Sequence, residues 1–256
     1  MARATTGGRL AQWVEGRVIE RIDWPERLQS LRSEAEIAAF RAGQFTKLGL
    51  DIGGEIVGRP YSIVSAPGEP LLEFYFSTVP GGPLSPRLAA LRTGDAIQVA
   101  PKPNGFLVLD EVPPAAHLWL VATGTGIGPF ISMLNTPEPW QRFQRVVLVH
   151  AARTAAELSY RRAIARITEA EPKRFTYIPV VSREQADYAL AGRIPPAIAD
   201  GRLEARAGLA FDAVQSHVML CGNPAMVEDA TAALAARGFR KHRRKEPGQI
   251  SVETYW

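Results

Sequence analysis

The sequence changes its hydrophobic pattern once, near residue 113. Before that point, short apolar stretches alternate with turns containing glycine and proline, and the single predicted helix is Ser85–Leu91. The predicted strands are Trp13–Ile22, Gln44–Leu50, Tyr61–Val64, Leu71–Val79 and Ala96–Val99. Because short strands without long intervening helices are typical of a small antiparallel barrel, we predict a β-barrel domain over residues 13–112.

After residue 113, apolar strands alternate with helices. The predicted strands are His117–Ala122, Val146–His150, Phe175–Val181 and His217–Cys221, with helices after the first strand, near Ala155–Ile167 and from Pro224. Parallel strands need crossover connections of this kind. We therefore predict a parallel α/β domain over residues 113–256, with Pro113-Pro114 in the linker.

Composition limits the classes of protein that fit. Hydrophobic residues make up 46% and charged residues 22% of the chain, as in ordinary globular proteins. Apolar runs such as Leu118–Val121 are too short to cross a bilayer, and residues 1–12, which have no apolar segment, are expected to form a loose extension. We expect a cytoplasmic monomer without membrane contact. A single cysteine, Cys221, cannot hold an iron–sulfur cluster.

Positive charge is concentrated in the second half. Residues 1–112 contain 12 Lys and Arg against 13 Asp and Glu, whereas residues 113–256 contain 18 against 13. Six of these basic residues lie between positions 237 and 245, which is typical of a solvated surface or of a patch that attracts phosphates or an acidic protein. No DNA-reading motif accompanies them, so nucleic acid is not an expected partner.

A glycine-rich turn follows the first strand of the second half. Gly124, Gly126 and Gly128 let the backbone approach a pyrophosphate, and the helix N-terminus beyond them presents free N–H groups to an anion. A tight strand-to-helix turn is the alternative. Pro129 replaces the last glycine of the dinucleotide fingerprint, so close helix–strand packing is not assured and a standard NAD-binding domain is not the best match.

The ends of the next two strands favour NADP over NAD. Neither end carries the carboxylate that an NAD site offers to the ribose, whereas Arg153 and Arg183 follow them. A guanidinium matches the oxygens of a 2′-phosphate in a bidentate fork. Each arginine alone fits an exposed surface position equally well.

Four motifs occur in order and carry a resemblance. They are Arg59-Pro60-Tyr61-Ser62, the Gly124–Pro129 turn, Cys221-Gly222-Asn223-Pro224 and the pair Tyr255-Trp256, supported by Gln44–Leu50, Leu84–Leu88 and His150–Arg153. From about Trp13 to Trp256 the chain resembles the bacterial ferredoxin (flavodoxin)–NADP reductases. The resemblance implies two cofactors, FAD on the barrel and NADP(H) on the α/β domain.

For FAD, the resemblance implies that Arg59 binds the pyrophosphate, that Tyr61 lies against the isoalloxazine, and that Ser62 lies near N5. The other implied FAD contacts are Pro60, Tyr75, Leu84, Ser85, Thr125, Tyr255 and Trp256. A core aromatic of the barrel is the alternative for Tyr75. The two terminal aromatics are expected to cover the flavin and its adenine, and which covers which stays open.

For NADP, the implied contacts are Gly124, Gly126, Arg153, Ser182, Arg183, Arg193, Gly222 and Asn223. Three residues are catalytic candidates by resemblance: Ser62, Cys221 and Glu253. Cys221 would position the nicotinamide, and a small buried hydrophobe is the alternative. Glu253 would handle a proton, and a surface carboxylate is the alternative.

These expectations combine into one function. Hydride transfer between NADPH and flavin N5 would be followed by one-electron exchange with ferredoxin or flavodoxin, both acidic carriers. Free flavin, quinone or haem protein as acceptor, a subordinate electron-transfer subunit and a flavin-free nucleotide-binding regulator are the alternatives. The physiological acceptor and the direction of electron flow stay open.

Overall fold

The computed structural model describes residues 13–254. The predicted extension, residues 1–12, and the pair Tyr255-Trp256 lie outside the described residues. The described chain forms two six-stranded sheets that follow each other in sequence, the first antiparallel and the second parallel.

The first sheet closes on itself. Its elements are β1 (Val14–Trp24), β2 (Leu28–Glu34), β3 (Phe45–Ile52), β4 (Glu55–Ser62), β5 (Leu72–Ser77), α1 (Ser85–Ala90) and β6 (Ala96–Val99). The strand order is β4-β3-β6-β1-β2-β5, with antiparallel pairing throughout. Beyond β4, Ile63 bridges to Phe74 of β5 and joins the two ends of the sheet. The predicted antiparallel barrel is confirmed.

Two strands of the barrel differ from the sequence prediction. β2 was not predicted, because Ser30 and Ser33 are fully buried beside Leu31 and break the apolar alternation. The predicted strand Tyr61–Val64 is wrong in its bounds, since β4 begins at Glu55 directly after the glycine turn. The strand pairs there with β3 as a hairpin.

The second sheet is a parallel α/β layer, as predicted. Its elements are β7 (His117–Thr123), α2 (Gly128–Leu134), α3 (Glu138–Arg142), β8 (Arg145–Ala152), α4 (Arg161–Ala170), β9 (Phe175–Val181), β10 (Leu190–Ala191), α5 (Ile194–Ala199), α6 (Arg202–Ala207), β11 (Ser216–Gly222), α7 (Pro224–Ala235) and β12 (Ile250–Thr254). The strand order is β10-β9-β8-β7-β11-β12. Central strands such as β7 and β8 are buried on both faces, which explains their continuous apolar sequences.

The predicted helix near Ala155–Ile167 is wrong at its start. A short 3₁₀ turn covers Ala155–Glu157, and α4 begins only at Arg161. Tyr160 lies between them with φ 61° and ψ 17°, a left-handed conformation that ends one helical segment before the next begins.

The two halves pack against each other through one continuous apolar cluster. Leu28, Val64 and Tyr75 of the barrel belong to the same buried cluster as Ile127 and Phe130 of the second half. The predicted boundary at residues 112 and 113 falls between β6 and β7 and stays a prediction. Within residues 13–254, no helix has both the length and the apolar character needed to cross a membrane.

Candidate functional site

The glycine-rich turn forms a tight junction between two strands and a helix. It is a 3₁₀ turn, Gly124–Ile127, that follows β7 and leads directly into α2. A Cβ atom on Gly126 would lie 2.4 Å from the backbone oxygen of Cys221 in β11, so only glycine fits at this position. Close packing of the turn is therefore present although Pro129 replaces the last glycine of the fingerprint.

A buried histidine of the neighbouring strand forms a hydrogen bond with the same turn. His150, in β8, is fully buried, and its Nε2 lies 3.1 Å from the carbonyl oxygen of Gly124. Burial lowers the pKa of His150 to about 4, so the ring is neutral at neutral pH. The neutral ring donates its Nε2 proton to the Gly124 carbonyl and holds the turn without adding charge to the site.

A cavity of about 550 Å³ lies at the carboxyl ends of β7, β8, β9 and β11. Such crevices are where open parallel sheets bind ligands. Six of the predicted NADP residues line it: Gly124, Arg153, Ser182, Arg183, Arg193 and Asn223. Gly126 and Gly222 do not line it but form the tightly packed backbone beneath, where a Cβ on Gly222 would lie 2.3 Å from Thr123 Oγ1.

Two arginines converge at one edge of this cavity, which we call the nucleotide cavity. The N–H of Arg183 donates to the carbonyl oxygen of Arg153 at 2.8 Å, because β8 and β9 are paired in register up to that point. Both side chains are exposed towards the cavity. Sequence reasoning missed Glu157, a buried carboxylate whose Oε1 lies 2.9 Å from Arg153 Nε and whose Oε2 accepts from the Arg153 N–H.

The barrel contributes to the nucleotide cavity as well. Glu26 and Leu28, from the β1–β2 hairpin, and Ser77, from the end of β5, line it opposite the arginines. Sequence reasoning missed these residues, and no motif marks them.

A second cavity, of about 390 Å³, lies against the barrel, and we call it the barrel cavity. Nine of the predicted flavin-site and catalytic residues line it: Arg59, Pro60, Tyr61, Ser62, Tyr75, Leu84, Ser85, Thr125 and Glu253. Phe45, Phe76 and Val79 also line it and were missed, since aromatic and aliphatic residues in a barrel usually mark the core.

The motif Arg59-Pro60-Tyr61-Ser62 ends β4 at this cavity. The Tyr61 ring is half-buried and meets Phe76 edge-on, with 5.7 Å between ring centroids. Burial raises the pKa of the Tyr61 hydroxyl to about 12, so the ring stays neutral. Arg59 is exposed at the rim, where one of its N–H groups bonds to the carbonyl oxygen of Gly58.

Tyr75 lies in the core of the barrel, and its contact with FAD stays a prediction. It lines the barrel cavity and is also a core residue, 4% exposed. Its hydroxyl lies 2.6 Å from Ser159 Oγ, a residue of the second half. The side chain is therefore fixed by a contact that crosses between the two sheets.

Glu253 brings a carboxyl group to the wall of the barrel cavity at the end of β12. The residue is half-buried, and its Oε1 atom is buried without a hydrogen-bond partner among residues 13–254. Burial raises the pKa of Glu253 to about 7. A carboxyl group that titrates near neutrality in a cavity wall is suited to proton transfer.

Cys221 is fully buried and does not appear in the lining of either cavity. Its backbone packs against Gly126, so its place beside a bound nucleotide stays a prediction. The predicted contacts of Tyr255 and Trp256 lie outside the described residues.

The two cavities meet at Ser77 and Thr125, which line both. A cavity on an antiparallel barrel that adjoins a nucleotide cavity on a parallel sheet defines a class, the two-domain nucleotide-dependent oxidoreductases. In agreement, residues 120–232 match the family model of the oxidoreductase NAD-binding domain.

Similarity to known proteins identifies the family to which the chain belongs. The chain is 49% identical over 248 residues to the flavodoxin/ferredoxin–NADP reductases of Shigella flexneri and of Escherichia coli (strain K12), which covers 96% of this chain and 100% of each relative. Its structure is similar to that of a Neisseria gonorrhoeae ferredoxin NADP+ reductase with bound FAD and NADP, with a TM-score of 0.92, 32% identity and coverage of 96% and 100% of the two chains. The chain belongs to the flavodoxin/ferredoxin–NADP reductase family.

Proposed function

We propose that this protein is an FAD-dependent reductase that exchanges hydride with NADP(H) and single electrons with ferredoxin or flavodoxin. The observation that carries the proposal is the contact between the two cavities at Ser77 and Thr125. A flavin ring in one cavity and a nicotinamide ring in the other would meet at this shared wall.

The barrel cavity fits a flavin. Tyr61, Phe76 and Val79 offer apolar walls to an aromatic ring system, and Arg59 at the rim would bind a pyrophosphate. The FAD, when bound, supplies the chemistry that links a two-electron hydride donor to one-electron acceptors. We propose that Pro60, Leu84 and Ser85 line its path, that Ser62 polarises the ring, and that Tyr255 and Trp256 cover it.

The nucleotide cavity fits NADP(H). The glycine turn brings backbone N–H groups to a pyrophosphate, and Arg153 and Arg183 would hold a 2′-phosphate, with Ser182, Arg193, Gly222 and Asn223 around the remaining groups. Glu157 also reaches this cavity, but both of its oxygens bond to Arg153. Arg153 therefore already compensates the charge of Glu157, whereas an NAD-selective site offers its carboxylate to the ribose hydroxyl.

Proton transfer is assigned to Glu253. Its carboxyl group faces the barrel cavity and changes charge near neutral pH. Cys221 is proposed to shape the nicotinamide pocket through its backbone, without acting as a nucleophile.

The surface beside Glu253 fits an acidic carrier protein. Gly105 approaches Glu253, and the next residue, Phe106, is 63% exposed. The guanidinium of Arg244 lies 4.2 Å from the centroid of the Phe106 ring. We propose that Phe106 and the basic loop formed by residues 240–245 make the docking surface, because charge complementarity and an exposed aromatic favour an acidic partner.

This basic surface is smaller than the sequence charge implies. Arg237 is paired with Glu204, Arg243 with Glu246 and Arg244 with Glu111, so none of these three is a free cation. Arg240, Lys241 and Lys245 are exposed and make no ion pair within the described part of the chain. The monomeric state and the cytoplasmic location stay predictions.

Acceptor-dependent rates test the proposal. The purified protein is supplied with NADPH and with ferredoxin, flavodoxin, free flavin, a quinone or a haem protein in turn. The proposal predicts the highest kcat/KM with ferredoxin or flavodoxin and a rate with these carriers that falls as ionic strength rises. A higher kcat/KM with free flavin, quinone or haem protein would contradict the assignment of the partner.

A further inference from the structure

The segment Glu157–Tyr160 touches both cavities and the barrel. Glu157 bonds to Arg153 in the nucleotide cavity, and Ser159 bonds to Tyr75 in the barrel cavity. The hydroxyl of Tyr160 reaches into the barrel wall, where it bonds to Glu73 and Ser30. All four residues of the segment are buried. One short segment therefore connects the two proposed cofactor sites.

The hydrogen bonds around Tyr160 form a chain in which each proton is assigned. Tyr160 donates to Glu73 Oε1 at 2.6 Å. Since its single hydroxyl proton is used there, Ser30 must donate to the Tyr160 oxygen, at 2.9 Å, and Ser30 accepts from Trp24 Nε1 at 3.0 Å. The second oxygen of Glu73 accepts from Arg32 Nε at 2.8 Å. Glu73 is thus a buried carboxylate held from both halves of the molecule.

Burial keeps Tyr160 in its donating form. Desolvation and the neighbouring Glu73 carboxylate raise the pKa of Tyr160 well above its ordinary value, so the hydroxyl is protonated across the working range of pH. The ring is also enclosed by aromatic neighbours, with centroids 5.1 Å from those of Trp24 and Tyr75. The ring planes of Tyr160 and Tyr75 are nearly perpendicular, at 89°.

The backbone of Tyr160 is held in a conformation that a tyrosine rarely adopts. Its φ of 61° lies in the left-handed region, which is unfavourable for a residue with a Cβ. Such conformations persist where the surroundings determine them, and functional sites are where they cluster. The side chain that this backbone positions is held by contacts with Glu73, Ser30 and Trp24.

We propose that Tyr160 is a positioning residue that fixes the angle between the nucleotide cavity and the barrel cavity. Through its neighbour Ser159 it also fixes Tyr75, so the separation of the two ring systems depends on the same anchor. The inference rests on the proposed function and extends it to a residue that neither binds nor reacts with a cofactor. Misplacement of reacting groups by about 1 Å lowers rates by roughly a hundredfold.

The chain provides a matched control. Ser132, in α2, donates at 2.7 Å to the carbonyl oxygen of Ser65, which is another buried hydrogen bond between the two halves. Neither residue lines a cavity. Ser132→Ala therefore removes a buried hydroxyl from the same interface without touching the proposed anchor.

The experiment compares Tyr160→Phe, Ser159→Ala and Ser132→Ala with the unaltered holoenzyme. Three quantities are measured: the rate of flavin bleaching on anaerobic mixing with NADPH, the Kd of NADP+ by calorimetry, and the long-wavelength absorbance that stacked nicotinamide and flavin rings produce. We expect Tyr160→Phe and Ser159→Ala to lower the bleaching rate about tenfold or more. Both substitutions should weaken the long-wavelength band. Both should leave the Kd of NADP+ within about twofold of its unaltered value, because the proposed phosphate contacts, Arg153 and Arg183, lie in the second half of the chain.

Ser132→Ala should change neither the bleaching rate nor the band. Unaltered rates and band in Tyr160→Phe, or an equal loss in all three variants, would overturn the positioning role, since an equal loss would indicate general loosening of the interface. Failure of the unaltered protein to bleach with NADPH would contradict the proposed function instead. The two failures are therefore distinguishable.

Discussion

At the scale of single residues, the arginines at the strand ends carry the nucleotide preference. Arg153 and Arg183 are brought together by the register of β8 and β9, and each is exposed to the nucleotide cavity. Arg153 is already paired with Glu157, whereas Arg183 makes no ion pair within residues 13–254. Arg183 is therefore the better probe of 2′-phosphate recognition.

Replacing Arg183 with alanine should weaken the binding of NADPH but not that of NADH. Loss of one exposed charge-assisted contact to phosphate predicts about a tenfold rise in the KM for NADPH and little change for NADH, measured by steady-state kinetics with both donors. Arg162→Ala, an exposed arginine on α4 outside both cavities, is the control. Equal effects on the two donors would contradict the role of Arg183.

The raised pKa of Glu253 predicts that activity depends on pH near neutrality. In the direction from NADPH to the carrier, the ionised carboxyl would accept the proton released when electrons leave the cofactor. Because burial raises its pKa to about 7, the carrier-dependent rate should fall as pH decreases below that value. Glu253→Gln should lose this inflection and reduce the rate about a hundredfold, as measured by turnover from pH 6 to 8.

Glu228→Gln, an exposed carboxylate on α7, is the control and should keep the unaltered pH profile. A Glu253→Gln profile that retains the inflection near pH 7 would assign the titration to another group.

Most of the site residues predicted from sequence line one of the two cavities, because the motifs that identify them stand at strand ends and turns. It missed Glu157, Ser159 and Tyr160, since nothing in an Ala-Ala-Glu-Leu-Ser-Tyr stretch distinguishes an anchor from an amphipathic helix. The Tyr160 side chain makes its contacts with β1, β2 and β5, which are distant in sequence. Such information becomes available only from the tertiary structure.

At the scale of elements, strands with continuous apolar sequence were predictable and strands with buried polar residues were not. The bounds of β6 and β9 agree with the sequence prediction. β2 was missed because two of its buried residues are serines. β12 was also missed, because this edge strand carries Ser251 and Glu253. Its pairing with β11 is what places Glu253 at the barrel cavity.

The turn between β7 and α2 gives a prediction at this scale. Gly126→Ala would place a Cβ 2.4 Å from the Cys221 backbone oxygen, so β11 or the turn must shift. We expect a loss of stability of about 3 kcal/mol, measured by urea unfolding, together with weaker NADP+ binding. Gly128→Ala would place a Cβ 3.2 Å from Val64 Cγ2 and 3.9 Å from Ser62 Cβ, without a close approach to any backbone atom, and should cost about 1 kcal/mol or less. Equal losses would contradict the close-packing argument.

At the scale of the whole molecule, the sequence predicted two halves and their order but not the surface at which they meet. Ser77 and Thr125 belong to different halves and line both cavities, and Glu26 reaches the nucleotide cavity from a barrel hairpin. These contacts depend on how the barrel packs against α2 and the turn before it. No local sequence pattern encodes that packing.

The most direct test of the whole account is the anaerobic visible spectrum of the purified protein during mixing with NADPH and, separately, with NADH. The account predicts a yellow protein with FAD bound. NADPH should bleach the flavin, and NADH should bleach it at a rate at least about tenfold lower. A colourless protein, or a bound flavin that NADPH leaves oxidised, would contradict the claim that two cofactors meet at the wall shared by the barrel and the parallel sheet.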